Sequence, residues 1–116
     1  MKTNELTGAA LDWAVAQCAG IEIEIAPDGY STYHPSRDWA QGGPIIEREG
    51  IDIHRVNSLM WSARWWSDNS AMVKNPAQRF RHNIQMDDPT PLVAAMRCFV
   101  ASRLGDEVEI PDELRA

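Results

Sequence analysis

The segment Tyr33-His-Pro-Ser-Arg-Asp-Trp-Ala-Gln-Gly-Gly-Pro44 gathers the residues of this chain best suited to chemistry. Rings at Tyr33 and Trp39, with Tyr30 just upstream, offer faces on which a planar ligand can stack. Arg37 offers a fork for a phosphate, Asp38 an opposing charge, and Gln41 an amide able to read a polar edge. Gly42 and Gly43 lack a Cβ, which lets backbone N–H groups approach a ligand closely. Internal Pro and Gly make poor core strand, so the segment reads as a loop. The composition points to a small-molecule pocket. The competing reading is a polar turn with one Trp plugged into the core.

Two further groups carry binding chemistry. In an extended strand Trp61 and Trp65 share one face and Trp66 takes the other. That pair suits a core as well as a pocket or an interface. Arg79-Phe-Arg-His82, if extended, sets Arg79 and Arg81 on one face as an anion clamp; a solvated basic edge is the alternative.

Catalytic patterns do not emerge. His34, His54 and His82 are too dispersed for a local metal motif, and no paired cysteines supply thiolates. No GxSxG elbow is present, and Gly42-Gly43 matches neither a Walker A loop nor a dinucleotide fingerprint. Glu47 and Glu49 flank Arg48 on a short helix, where they read as a solvated face. These patterns point to a non-enzymatic protein without metal or cofactor.

Several elements must position these residues. Thr7 and Gly20 bracket a first helix whose Leu11, Ala14, Val15 and Cys18 form one apolar face. Ile21-Glu-Ile-Glu-Ile25 alternates as a strand, and Pro27-Asp-Gly29 turns the chain. Pro44 opens a short helix that Gly50 closes. Residues 51–53 and 61–66 are strand candidates, and Ser67-Asp-Asn-Ser70 is a turn. Residues 67–89 otherwise show no clear period.

The second long helix is the best defined, with Thr90 as cap, Pro91 at its first position and Gly105 beyond its end. Leu92, Ala95, Met96, Phe99, Val100 and Leu104 form its buried stripe, with Arg97 and Arg103 away from it. Asp106-Glu-Val-Glu-Ile110 is a last short strand. Together these predict one α+β domain over 1–116, two main helices packed on a small, mostly antiparallel sheet.

Length, charge and cysteine usage bound the setting. A chain of 116 residues supports one core. Its net charge of −6 argues against duplex nucleic acid, which is held by neutralising phosphates. No apolar run approaches a membrane span, and Cys18 and Cys98 read as buried thiols in a reducing cytosol. Five Trp and five Met give more apolar surface than a small core hides, which predicts a homodimer or higher homo-oligomer joined through residues 61–66.

The segments MKTNELTGAALDW (1–13), DWAQGGPIIEREG (38–50), TPLVAAMR (90–97) and GDEVE (105–109) resemble the NinX-like family of small phage and prophage proteins. The resemblance covers both ends and the central loop, and residues 52–85 lie outside it. It implies a bacteriophage origin and action in the cytoplasm of an infected bacterium, and it assigns no catalytic residues. By analogy of type, a small acidic domain with an aromatic, Gly-rich, Arg-bearing loop is similar to phage proteins that sequester the nucleotide signals of Thoeris or CBASS immunity. The expected ligand is therefore a cyclic ADP-ribose derivative or a cyclic dinucleotide. The alternative expectation is a protein–protein module acting on a recombination, transcription or restriction component.

Overall fold

A computed structural model describes residues 1–22, 33–66 and 83–114. Helix α1 spans Gly8–Ala19, α2 spans Trp39–Glu49 and α3 spans Pro91–Leu104. Strands β1 (Asp52–Asn57), β2 (Met60–Trp66) and β3 (Asn83–Asp88) form an antiparallel sheet in the order β1-β2-β3. The architecture is α+β, as the sequence predicts.

Strand parity sets the two faces of the sheet. Ile53 pairs with Ala63, Ala63 with Met86, and Trp65 with Ile84. These five residues are buried in or packed against the core beneath α3. The opposite face carries the polar rows Asp52, Arg64, Gln85 and His54, Ser62, Asp87. The shared face expected of Trp61 and Trp65 in an extended segment is the face β2 turns to the core. β3 shows the same alternation but begins beside an aperiodic stretch, and sequence reading missed it.

Helix α3 organises the domain. It packs against α1, α2 and all three strands. Every residue from Leu92 to Ala101 is buried. The expected single stripe is therefore corrected in two places. Arg97 is buried, while Leu104 at the helix end is exposed. Arg97 is accommodated because Nε donates to the Leu6 carbonyl at 2.7 Å and Nη1 donates to Asp88 Oδ1 at 3.0 Å. The neighbouring Cys98 thiol donates to the Ala63 carbonyl at 3.1 Å, tying α3 to β2.

The helix ends follow local rules. Gly20 and Gly50 end α1 and α2 with φ of 70° and 66°, a left-handed conformation in which a Cβ is strained. Thr7 and Thr90 stand at the cap positions of α1 and α3 without making the side-chain cap bond. The strand expected at Asp106–Ile110 is reduced to one bridge. Lys2 pairs with Glu107, supported by Thr3 N–H to the Asp106 carbonyl at 2.8 Å. Ile21 and Glu22 are exposed and belong to no strand; the rest of the expected strand and the Pro27–Gly29 turn lie outside the described residues. The Ser67–Ser70 turn lies outside them too.

Replacing Arg97 with Met keeps the volume but leaves the Leu6 carbonyl and the Asp88 carboxylate without their donor. The expected loss is about 2–4 kcal/mol of unfolding free energy. Urea denaturation measures it, and a variant as stable as the parent would show that these contacts are dispensable.

Candidate functional site

The loop singled out in the sequence folds against α1, at a side chain the sequence reading did not select. Asp12 lies on the buried side of α1 with 2% of its surface exposed. Its Oδ1 accepts the Ser36 amide at 2.9 Å, and its Oδ2 lies 3.6 Å from Arg37 Nη2. Ser36 is equally buried, whereas half of the Arg37 side chain is in solvent. A lone charge between Leu11 and Val15 was the available signal. It sits three residues before an apolar position in a helix face that is otherwise apolar.

The loop itself is closely determined. Residues 34–37 make a turn in which the amides of Arg37 and Asp38 donate to the His34 carbonyl at 3.0 and 3.1 Å. The His34 amide donates to Gln41 Oε1 at 2.6 Å. Asp38 then caps α2, its Oδ1 accepting the Ala40 amide at 2.9 Å. This cap corrects the expected boundary: α2 begins at Trp39, and Pro44 is interior. Gly42, Gly43 and Pro44 are all poor helix formers. The Asp38 cap and the packing of Gly42 offset that weakness.

Gly42 is buried, and a Cβ there would collide with the Pro35 carbonyl oxygen and lie 2.7 Å from Leu92 Cδ1. It lets α2 sit close against both the loop and α3, so it serves packing rather than ligand approach. A Cβ on Gly43 would meet nothing within 4 Å. Of the two glycines, Gly43 alone faces open space.

Electrostatics at the junction favour binding of polar groups. Burial raises the Asp12 carboxyl above its ordinary value, opposed by the Ser36 hydroxyl and amide, then Arg37 and His34. The Ser36 hydroxyl is near enough to exert that pull but does not reach hydrogen-bonding geometry. Asp12 Oδ2, Ser36 Oγ and His34 Nδ1 are all buried without a hydrogen bond.

The other expected site residues are distributed differently. Trp39 is 51% exposed at the start of α2 and free to stack. Tyr33 is half-buried and packs on the core, and burial raises its phenol pKa. Gln41 is engaged with the loop, and Arg37 with Asp12. Trp61 and Trp65 share the α3-facing side of β2, with Trp65 packed on the core. Tyr30, Arg79 and Arg81 lie outside the described residues. Burial also pushes the Cys18 thiol up to about 11 and the Cys98 thiol up to about 12, far from nucleophilic thiolate. Among the described residues no three His, Cys, Asp or Glu side chains gather as a metal site, and no helix is long and apolar enough to cross a membrane.

Fold and site together describe a compact α+β domain with a polar, half-covered cluster at a helix–loop junction. Residues 2–103 match the family described as "Bacteriophage P22, NinX", and the chain belongs to that family. No curated protein matches it. The match spans Asp12, the loop and all three strands, including residues 52–66 and 83–85, beyond the segments that carried the resemblance.

Two stability tests follow. Gly42→Ala should lose about 1–3 kcal/mol through overpacking, whereas Gly43→Ala should be neutral or gain up to about 1 kcal/mol of helix propensity. Equal effects in urea denaturation would refute the division of roles. Asp12 should also leave a pH signature. Its folded pKa is raised above 3.8, so the folded state holds a proton that the unfolded chain releases. Relative to Asp12→Asn, the parent should therefore lose stability as pH rises from 3.8 through the raised folded value, and then level off. Melting curves for both proteins across that range test the sign.

Proposed function

We propose that this protein is a phage-encoded, non-enzymatic binding protein that sequesters a small nucleotide-type ligand, of the kind used as a host immune signal. The observation that carries the reading is the junction itself. Half-exposed Arg37 stands beside a buried carboxylate oxygen that has no hydrogen bond, and exposed Trp39 follows two residues on, at the start of α2. Stacking on an aromatic face and a guanidinium–phosphate contact are the two interactions every nucleotide can make. Thiols held well above neutrality support storage of a ligand rather than attack on it. Membership of a phage family supports action in the cytoplasm of an infected bacterium.

A second reading is favoured by a separate observation. At the β1–β2 hairpin Val56 is 53% exposed and Leu59 77% exposed, an apolar tip suited to contact with a protein, including a second copy of this chain. β2 is the central strand with both edges paired, so residues 61–66 would join copies only through side chains.

Calorimetry of the full chain against cyclic ADP-ribose derivatives and cyclic dinucleotides tests the first reading. The expected result is stoichiometric binding, with the ligand recovered intact after heat release. Trp39→Ala should weaken that binding by about 1–3 kcal/mol, the value of one stacked base. Turnover of the ligand, or uniform failure to bind, would overturn the proposal. A stoichiometric protein partner in infected cells, lost in Leu59→Asp, would favour the second reading.

A further inference from the structure

Three atoms at the α1–loop junction define what they would accept. Asp12 Oδ2, on a side chain only 2% exposed, has no hydrogen bond. Ser36 Oγ, on a side chain 1% exposed, and His34 Nδ1 have none either. An ionised carboxylate only accepts, and a hydroxyl rotates to accept or to donate. The set is therefore rich in acceptors. Its backbone is already fixed by Ser36 N–H to Asp12 Oδ1 at 2.9 Å and by His34 N–H to Gln41 Oε1 at 2.6 Å.

One group of the cluster reaches into solvent. Arg37 lies 3.6 Å from Oδ2, beyond hydrogen-bonding distance, with half of its side chain in solvent. The carboxylate of this pair is buried, so Arg37 leaves it only when another donor takes its place at Oδ2. A donor arriving from a ligand would take Oδ2, and the released guanidinium would then be available to a phosphate on the same ligand. Arg37 thus serves both as the cover of the acceptor set and as the anion contact.

We propose that this cluster reads the exocyclic amino group of a nucleobase, selecting amino-bearing bases over their keto counterparts. This rests on the nucleotide-binding reading above. An –NH2 group brings two donors, one for Asp12 Oδ2 and one for Ser36 Oγ. A keto oxygen in the same place faces the carboxylate lone pairs and leaves the acceptors unpaired. Sites built on buried polar partners discriminate through that loss.

The experiment is calorimetry of the full chain with matched ligands that differ at the base. Cyclic di-AMP is compared with cyclic di-IMP, and cyclic ADP-ribose with its inosine analogue. At least one amino-bearing ligand should bind at least about tenfold more tightly than its keto counterpart, the scale of one good base-edge contact. Asp12→Asn keeps an oxygen for the Ser36 amide and places an –NH2 at the position of Oδ2. It should abolish or invert that preference. Ser36→Ala should reduce the ratio, and it carries the test with the parent protein if the Asn variant does not fold. Equal affinity for amino and keto ligands, or an unchanged ratio in both variants, overturns this inference and leaves the binding function standing. Failure of every ligand to bind overturns both.

Discussion

The burial of α3 on all sides is the constraint from which the rest of the structure follows. A helix satisfies its own backbone hydrogen bonds, so it can run through the middle of a small domain. Its side chains must then find partners in every direction. Successive residues point about 100° apart, and three consecutive residues reach three different parts of the fold. Arg97 holds the Leu6 carbonyl and Asp88, fixing the N-terminal segment and the end of β3. Cys98 holds the Ala63 carbonyl of β2. Phe99 receives Arg48 and Arg103 over its ring, at 5.7 and 5.2 Å to the centroid.

That last contact fastens the C-terminal end of α2. Glu49 accepts from Arg103 at 2.6 Å and from Arg48 at 3.3 Å, so one carboxylate joins the two guanidinium groups that flank the ring. The N-terminal end of α2 is seated differently, by the missing side chain of Gly42 against Pro35 and Leu92. Helix α2 is thus held at both ends by α3, once through charge and aromatic contact and once through close packing. Pro35 immediately precedes Ser36, so the seat of Gly42 also sets where Ser36 meets Asp12.

The junction is consequently a polar cluster on a rigid base. Its foundation is apolar packing, its geometry comes from four amide hydrogen bonds in the loop, and Arg37 stands at its edge, half in solvent. Preorganised acceptors of this kind lower the ordering cost of binding, because the protein has little left to arrange. Burial also explains why Asp12 is held above its ordinary pKa: a carboxylate removed from water lacks the solvation that would stabilise its charge.

Local patterns in the sequence determined α1, α3, β1 and β2, because period and capping signals there agree with what packing later requires. Of the loop expected over residues 33–44, the first half is a turn and the rest is helix, and whether Trp39 is exposed was left open by its sequence. Tertiary structure alone decided the rest. Gly42-Gly43-Pro44 reads as a break in helix, yet α2 runs through it because the Asp38 cap and the Leu92 contact outweigh intrinsic propensity. Arg97 reads as a surface residue, yet it is buried because its two acceptors come from residues 91 and 9 positions away in the chain. Asp12 reads as one charge in a helix, and it became the centre of the site only because Ser36 and Arg37 arrive from 24 and 25 residues downstream. Sequence spacing encodes neighbours within a turn or a strand; it does not encode which distant groups will share a buried space.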